Sequence, residues 1–165
     1  MKRASTYLLF VLLFSVAFQS CGKKDDENAY AEWREKNERF IEKIKNDPSY
    51  NQVTIPQGPG IVYYKDSIKG HGDTHPLYTS QVRIRYKGSL IDDRVFDDAS
   101  RRITPMNVNS VVSGFSVALQ NMKEGDLWKI VIPWQLGYGA SGFGSAVPPY
   151  SALIFEVELV QISRR

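Results

Sequence analysis

From Val82 to Lys87 apolar and charged side chains alternate without a break. Val82, Ile84 and Tyr86 take one parity, and Arg83, Arg85 and Lys87 take the other. Successive side chains of a strand point to opposite faces, so Val82–Leu90 is predicted as a strand with one face buried and one in water. Leu153–Ile162 alternates in the same way, and Ile61–Lys65 and Leu127–Ile132 also have strand character. Lys123-Glu124-Gly125-Asp126 is the turn that leads into Leu127. The one helical candidate inside this β-rich region is short, about Ser116–Met122. A sheet with one short helix on a face is an α+β plan. There is no internal repeat and no low-complexity stretch.

The chain has 165 residues, enough for one ordinary domain and an appendage. It divides into a signal over 1–20, a charged tether and helical spacer over 21–59, and a domain over 60–165. The first segment has Lys2 and Arg3 ahead of an apolar run from Tyr7 to Phe18. Those twelve residues would rise about 18 Å as a helix, short of a hydrocarbon core about 30 Å thick. The segment therefore reads as a secretory signal. Cys21, where the apolar run ends, is the single cysteine. One cysteine excludes an intrachain disulfide and a zinc site built on paired thiolates. Its place resembles a bacterial lipobox, although Phe18 and Gln19 depart from the usual Leu and small residue. The resemblance implies lipid attachment at Cys21 and a chain anchored to a membrane in the cell envelope, at the outer membrane or periplasmic face. Lys23, Lys24, Asp25, Asp26 and Glu27 also resemble the export signal of surface lipoproteins in the Bacteroidetes.

Between Ala29 and Asn46 the apolar residues Tyr30, Trp33, Phe40, Ile41 and Ile44 trace one stripe of period 3.6. Asp47-Pro48 stops the helix, because the residue before a proline is pushed out of the α region. A helix this short needs a partner for its stripe. It either docks on its own domain or pairs with the same helix of a second chain as a homodimer. Gln57-Gly58-Pro59-Gly60 is a turn-rich linker.

The charges argue against nucleic acid as a partner. There are 21 Lys and Arg against 18 Asp and Glu, and without Lys2 and Arg3 the balance is 19 against 18. Nucleic-acid binding wants a concentrated basic face. Catalytic motifs also fail. Gly137-Tyr138-Gly139-Ala140-Ser141-Gly142 matches G-x-G-x-x-G, but Pro148 and Pro149 lie just beyond, where a phosphate-binding helix would have to run. His71 and His75 have the spacing of two ligands on a helix, yet Gly70, Gly72 and Pro76 exclude that helix, and no third ligand is spaced to join them. Ser141 lacks the second glycine of a nucleophile elbow, because Phe143 stands there. No metal and no cofactor are expected.

Six motifs do hold together. They are V-R-I-R-Y-K-G-S-L at Val82–Leu90, V-F-D-D at Val95–Asp98, V-V-S-G-F-S-V-A-L-Q-N-M at Val111–Met122, K-E-G-D-L-W-K-I-V-I-P at Lys123–Pro133, L-G-Y-G-A-S-G from Leu136 with V-P-P from Val147, and L-I-F-E-V-E-L-V from Leu153. In this order and spacing, residues 60–165 resemble the FKBP-type peptidyl-prolyl cis-trans isomerases. The helical spacer resembles that of the lipoprotein members. The resemblance implies a twisted antiparallel sheet wrapped around the short helix, with an aromatic pocket between them. Its site residues would be Tyr86, Phe96, Asp97, Val111, Val112, Phe115, Tyr138 and Phe155. Met106, Phe143, Ala146 and Val147 would form the rim. Phe115 stands where the family usually has Trp, and Met106 falls near a family Phe.

The implied reaction needs no covalent intermediate, which agrees with the failed search for a dyad. Amide resonance holds an X–Pro bond planar behind a barrier of roughly 18–20 kcal/mol. Twisting the bond removes resonance and polarity, so an apolar pocket favours the twisted form. Tyr86, Phe96, Val111, Val112, Phe115 and Phe155 would wall the pocket, and Asp97 and Tyr138 would orient the substrate. The expected activity is rotation of X–Pro bonds in proline-containing polypeptides among exported or cell-envelope proteins. The rival reading is a chaperone or partner-binding lipoprotein on the same fold with little or no turnover.

Overall fold

The computed structural model describes residues 23–56 and 58–163. The expected signal segment and Cys21 lie outside the described residues. Helix α1 spans Lys23–Lys45, so Lys23–Glu27, expected as a tether, begin the helix. It stops where Asp47-Pro48 predicts. There the Asp47 carboxylate accepts from the Ser49 amide at 2.9 Å, and Tyr50 N donates to Asp47 O at 3.0 Å.

The strands are β1 Asn51–Thr54, β2 Ile61–Ile68, β3 Gln81–Ser89, β4 Val95–Asp98, β5 Thr104–Asn107, β6 Leu127–Ile132 and β7 Leu153–Ile162. Helix α2 spans Ser113–Asn121, starting three residues ahead of the expected Ser116. All pairings are antiparallel, in the order β1-β2-β6-β7-β3-β4. β5 pairs with the first half of β3 and β4 with its second half, so the two are pieces of one edge line. β1 pairs with β2 in register from Asn51↔Tyr64 to Thr54↔Ile61. The edge strand of the sheet therefore lies ahead of the boundary drawn at residue 60.

Alternation sets the two faces. Val82 and Ile84 of β3, Ile130 and Ile132 of β6, and Leu153, Val157 and Leu159 of β7 point to the inner face and are fully buried. Phe115, Ala118 and Leu119 of α2 and Met122 just beyond it close this core. The outer face carries Tyr63, Val131 and Ile154, and α1 covers it with Phe40, Ile41 and Ile44. Phe40, Ile41 and Ile44 of the stripe on α1 thus dock on its own domain, while Tyr30 at the other end stays exposed. Each CH₂ moved out of water stabilises by about 0.8 kcal/mol, which holds a helix that would be marginal alone.

Candidate functional site

A cavity of about 320 Å³ opens between the inner face of the sheet and α2. Ten of the residues expected at the site line it: Tyr86, Phe96, Asp97, Met106, Val111, Val112, Phe115, Tyr138, Phe143 and Phe155. Two others do not. Val147 is buried in the core at 1% exposure, where a hydrophobic side chain is worth more than at a rim. Ala146 sits on the exposed loop outside the lining. Ser110, which no sequence signal singled out, also lines the cavity, and its hydroxyl donates to Asn107 O at 2.8 Å.

The walls are built from the strand pattern. Phe155 is one of the inward-facing residues of β7 and the hub of the aromatic set. Its ring lies 4.6 Å from Phe115, 5.5 Å from Phe96 and 6.4 Å from Tyr86. The Phe96 contact is edge-on at 87°, an arrangement the ring quadrupole favours. Phe115 is 3% exposed and Phe155 6%, so both are fixed from behind by the core. Val111 and Val112 enter α2 in extended conformations. Met106 on β5 and the stacked rings of Tyr138 and Phe143, 4.8 Å apart, complete the lining.

Adjacent strand residues should face opposite ways, yet Phe96 and Asp97 both line the cavity. The ladder explains this. Gly88 pairs with Asp97 and Ser89 with Val95, which leaves Phe96 as the extra residue of a bulge. A bulge re-aims side chains in this way. Gly88 is required beneath it. A Cβ there would lie 2.6 Å from the Phe96 ring and 2.8 Å from the Phe155 ring.

One polar pair marks the site. Asp97 is the diagonal neighbour of Tyr86 across β3 and β4, and the Tyr86 hydroxyl donates to Asp97 Oδ2 at 2.7 Å. Tyr86 therefore has a role beyond the wall expected of it, since it holds the carboxylate over the apolar cavity. Burial first, and then the bond and the charge of Asp97, push the Tyr86 phenol up to about 12. Burial, with a smaller contribution from Asp97, also raises Tyr138. Both hydroxyls thus stay protonated as donors at neutral pH.

The rejected motifs sit as the sequence implies. No helix follows Gly137–Gly142, and Gly139 and Gly142 take φ of 66° and 67° in the loop. Gly142 has no room for a side chain, since a Cβ would strike the Val147 carbonyl oxygen. His71 and His75 are on the segment between β2 and β3, where His75 Nδ1 is 3.1 Å from Met122 O.

Known proteins give the same picture. The profile of the FKBP-type peptidyl-prolyl cis-trans isomerases matches residues 72–160. The chain is 37% identical over 125 residues to the macrophage infectivity potentiator of Trypanosoma cruzi, covering 74% of this chain and 61% of that protein. It is 31% identical over 144 residues to the outer membrane protein MIP of Legionella longbeachae, covering 86% of this chain and 57% of that one. It thus spans less than two thirds of these curated relatives. A crystal structure of a peptidyl-prolyl cis-trans isomerase from Pseudomonas syringae pv. tomato superposes with a TM-score of 0.72 at 32% identity, over 81% of this chain and 96% of that one. By fold, by cavity and by these matches, the chain belongs to the FKBP-type peptidyl-prolyl cis-trans isomerase family.

Proposed function

We propose that this chain catalyses cis-trans isomerisation of X–Pro bonds in exported or cell-envelope polypeptides. The observation that carries the reading is the cavity itself, whose aromatic and aliphatic walls surround one hydroxyl–carboxylate pair. A proline ring seats against Phe115 and Phe155, and the amide before it loses contact with water. The planar amide is the more polar form, so its desolvation narrows the gap to the twisted transition state. Tyr138 donates to a substrate carbonyl, and Asp97, steadied by Tyr86, fixes the other side. No proton is transferred and no covalent bond forms.

We place the protein in the cell envelope, held by lipid at Cys21. The lipobox-like position of that cysteine and the name of the Legionella relative support this. Among the described residues no helix is long and apolar enough to cross a membrane.

The test is a peptide isomerisation assay on a chain starting at Lys23. The expected result is a rate well above background, lowered at least about tenfold by Asp97→Ala or Tyr138→Phe, in the range of one lost positioned donor or acceptor. A rate at background, unchanged by either substitution, overturns the enzyme reading. Suppression of aggregation without turnover would favour the chaperone. Separately, Cys21→Ala moves the full chain from the membrane to the soluble fraction. Retention in the membrane refutes the lipid anchor.

A further inference from the structure

The segment joining β6 to β7 carries Tyr138 and Phe143 to the cavity. Both of its roots are fixed on one turn of helix α1. At the first root the Arg34 guanidinium lies 5.4 Å from the centre of the Trp134 ring. At the second it lies 5.1 Å from the centre of the Tyr150 ring. The two rings meet edge-on at 5.1 Å, so one cation bridges both roots. Beside it, Trp33 Nε1 donates to Ser151 Oγ at 2.9 Å, and that hydroxyl donates to Pro148 O at 2.7 Å. Asn37 is fully buried, and its Oδ1 accepts from Ala152 N at 2.8 Å. Phe40, Ile41 and Ile44 further along the helix dock it on the outer face of the sheet, and Trp33 packs against the main core.

From the roots, a short chain of backbone bonds leads to the cavity. Gly139 N donates to Trp134 O at 2.9 Å, and Tyr150 N donates to Gly139 O at 3.0 Å. Tyr138 is therefore suspended between two pinned points. The second is strained, since Tyr150 sits at φ 60°, a left-handed conformation that a bulky side chain disfavours.

We infer that Trp33, Arg34 and Asn37 are positioning residues for Tyr138 and Phe143, so that the docked helix α1 sets the loop wall of the cavity from behind. The inference rests on the isomerase reading above. It assigns the spacer helix a share in substrate binding, although none of its residues lines the cavity.

The test compares three variants of a chain starting at Lys23. Arg34→Met keeps the aliphatic stem and removes the cation from both rings. Trp33→Phe keeps a ring and removes the donor to Ser151. Phe40→Leu weakens the same helix on the sheet, away from the loop. The first two are expected to lower kcat/KM for a proline peptide about tenfold, mostly through KM, as a small misplacement of a binding group does. They also speed amide exchange at Gly139, Phe143, Val147 and Tyr150 about tenfold, with β3 and β7 amides unchanged, because only the loop opens locally. Arg34→Lys, which keeps a cation over the rings, recovers most of the loss. Phe40→Leu lowers stability and leaves both readouts at wild-type values. If Arg34→Met and Trp33→Phe behave like Phe40→Leu, the inference is overturned. A wild-type chain without isomerisation would instead sink the isomerase reading, and loop exchange alone then decides the role of α1.

Discussion

Gly88→Ala tests the construction of the cavity with one methyl group. The added Cβ would lie 2.6 Å from Phe96 Cζ and 2.8 Å from Phe155 Cε1. Carbon atoms rest about 3.5–4.0 Å apart, so one ring must retreat by about 1 Å. Phe155 has nowhere to go, because it is 6% exposed and backed by Phe115 at 4.6 Å. Phe96 is half-buried on an edge strand and will move. Overpacking of this kind costs about 1–3 kcal/mol. Displacing a cavity wall by about 1 Å lowers kcat/KM by about tenfold to a hundredfold. Urea unfolding gives the stability change, and a proline-peptide assay gives the rate. The double variant Gly88→Ala, Phe96→Leu frees space at the clash and recovers most of the lost stability, but not the rate, because the Phe96 ring is then missing from the wall. A single variant with wild-type midpoint and wild-type kcat/KM would falsify the claim that Gly88 seats the two rings.

Other outcomes follow from the same geometry. In a difference titration against Tyr86→Phe, the missing phenol ionises near pH 12 rather than 10. A folded pKa raised above the unfolded one gives stability that is complete below pH 10 and fades as pH climbs through about 12. Wild type should therefore lose its advantage over Tyr86→Phe only in that alkaline window, which pH-dependent unfolding checks. Arg85 and Glu158 form a 2.8 Å ion pair across β3 and β7, but both are more than a third exposed. Arg85→Ala shifts stability by less than about 1 kcal/mol, measured by urea unfolding. A chain shortened to begin at residue 60 loses β1 and α1 and bares Tyr63, Val131 and Ile154. It should unfold at lower urea and self-associate on gel filtration, whereas the chain from Lys23 should not.

Much of the sheet is legible in the sequence because alternation reports one buried face. The strand readings at Val82–Leu90, Leu127–Ile132 and Leu153–Ile162 fall on β3, β6 and β7. β1 escapes because Asn51–Thr54 is an edge strand, largely exposed and without an apolar pattern. The start of α2 escapes because Ser113-Gly114 reads as a turn. Gly114 is helical there, and α2 packs so tightly on Ile132 and Leu136 that a side chain at this position would collide. The ten lining residues came from motif register, which carries position but not orientation. Val147 matched in register and points into the core. The bulge that turns Phe96 and Asp97 the same way is a property of strand pairing between β3 and β4, and neither strand shows it alone. The grip of α1 on Ser151 and Ala152 spans more than a hundred residues of chain, beyond the reach of any local pattern.

Among the described strands β7 comes last in chain order, yet it lies between β6 and β3 at the middle of the sheet. A chain that emerges N-terminus first can form the β1–β2–β6 side and the β3–β4–β5 side, but nothing joins the two until Leu153–Ile162 is free. Closing that gap pairs Val82 with Ile162 across most of the domain, and such non-local pairing folds slowly. The cavity has no floor until then, since Phe155 arrives on this strand. The order of synthesis therefore delays both the joining of the two halves of the sheet and the completion of the cavity until β7 is made.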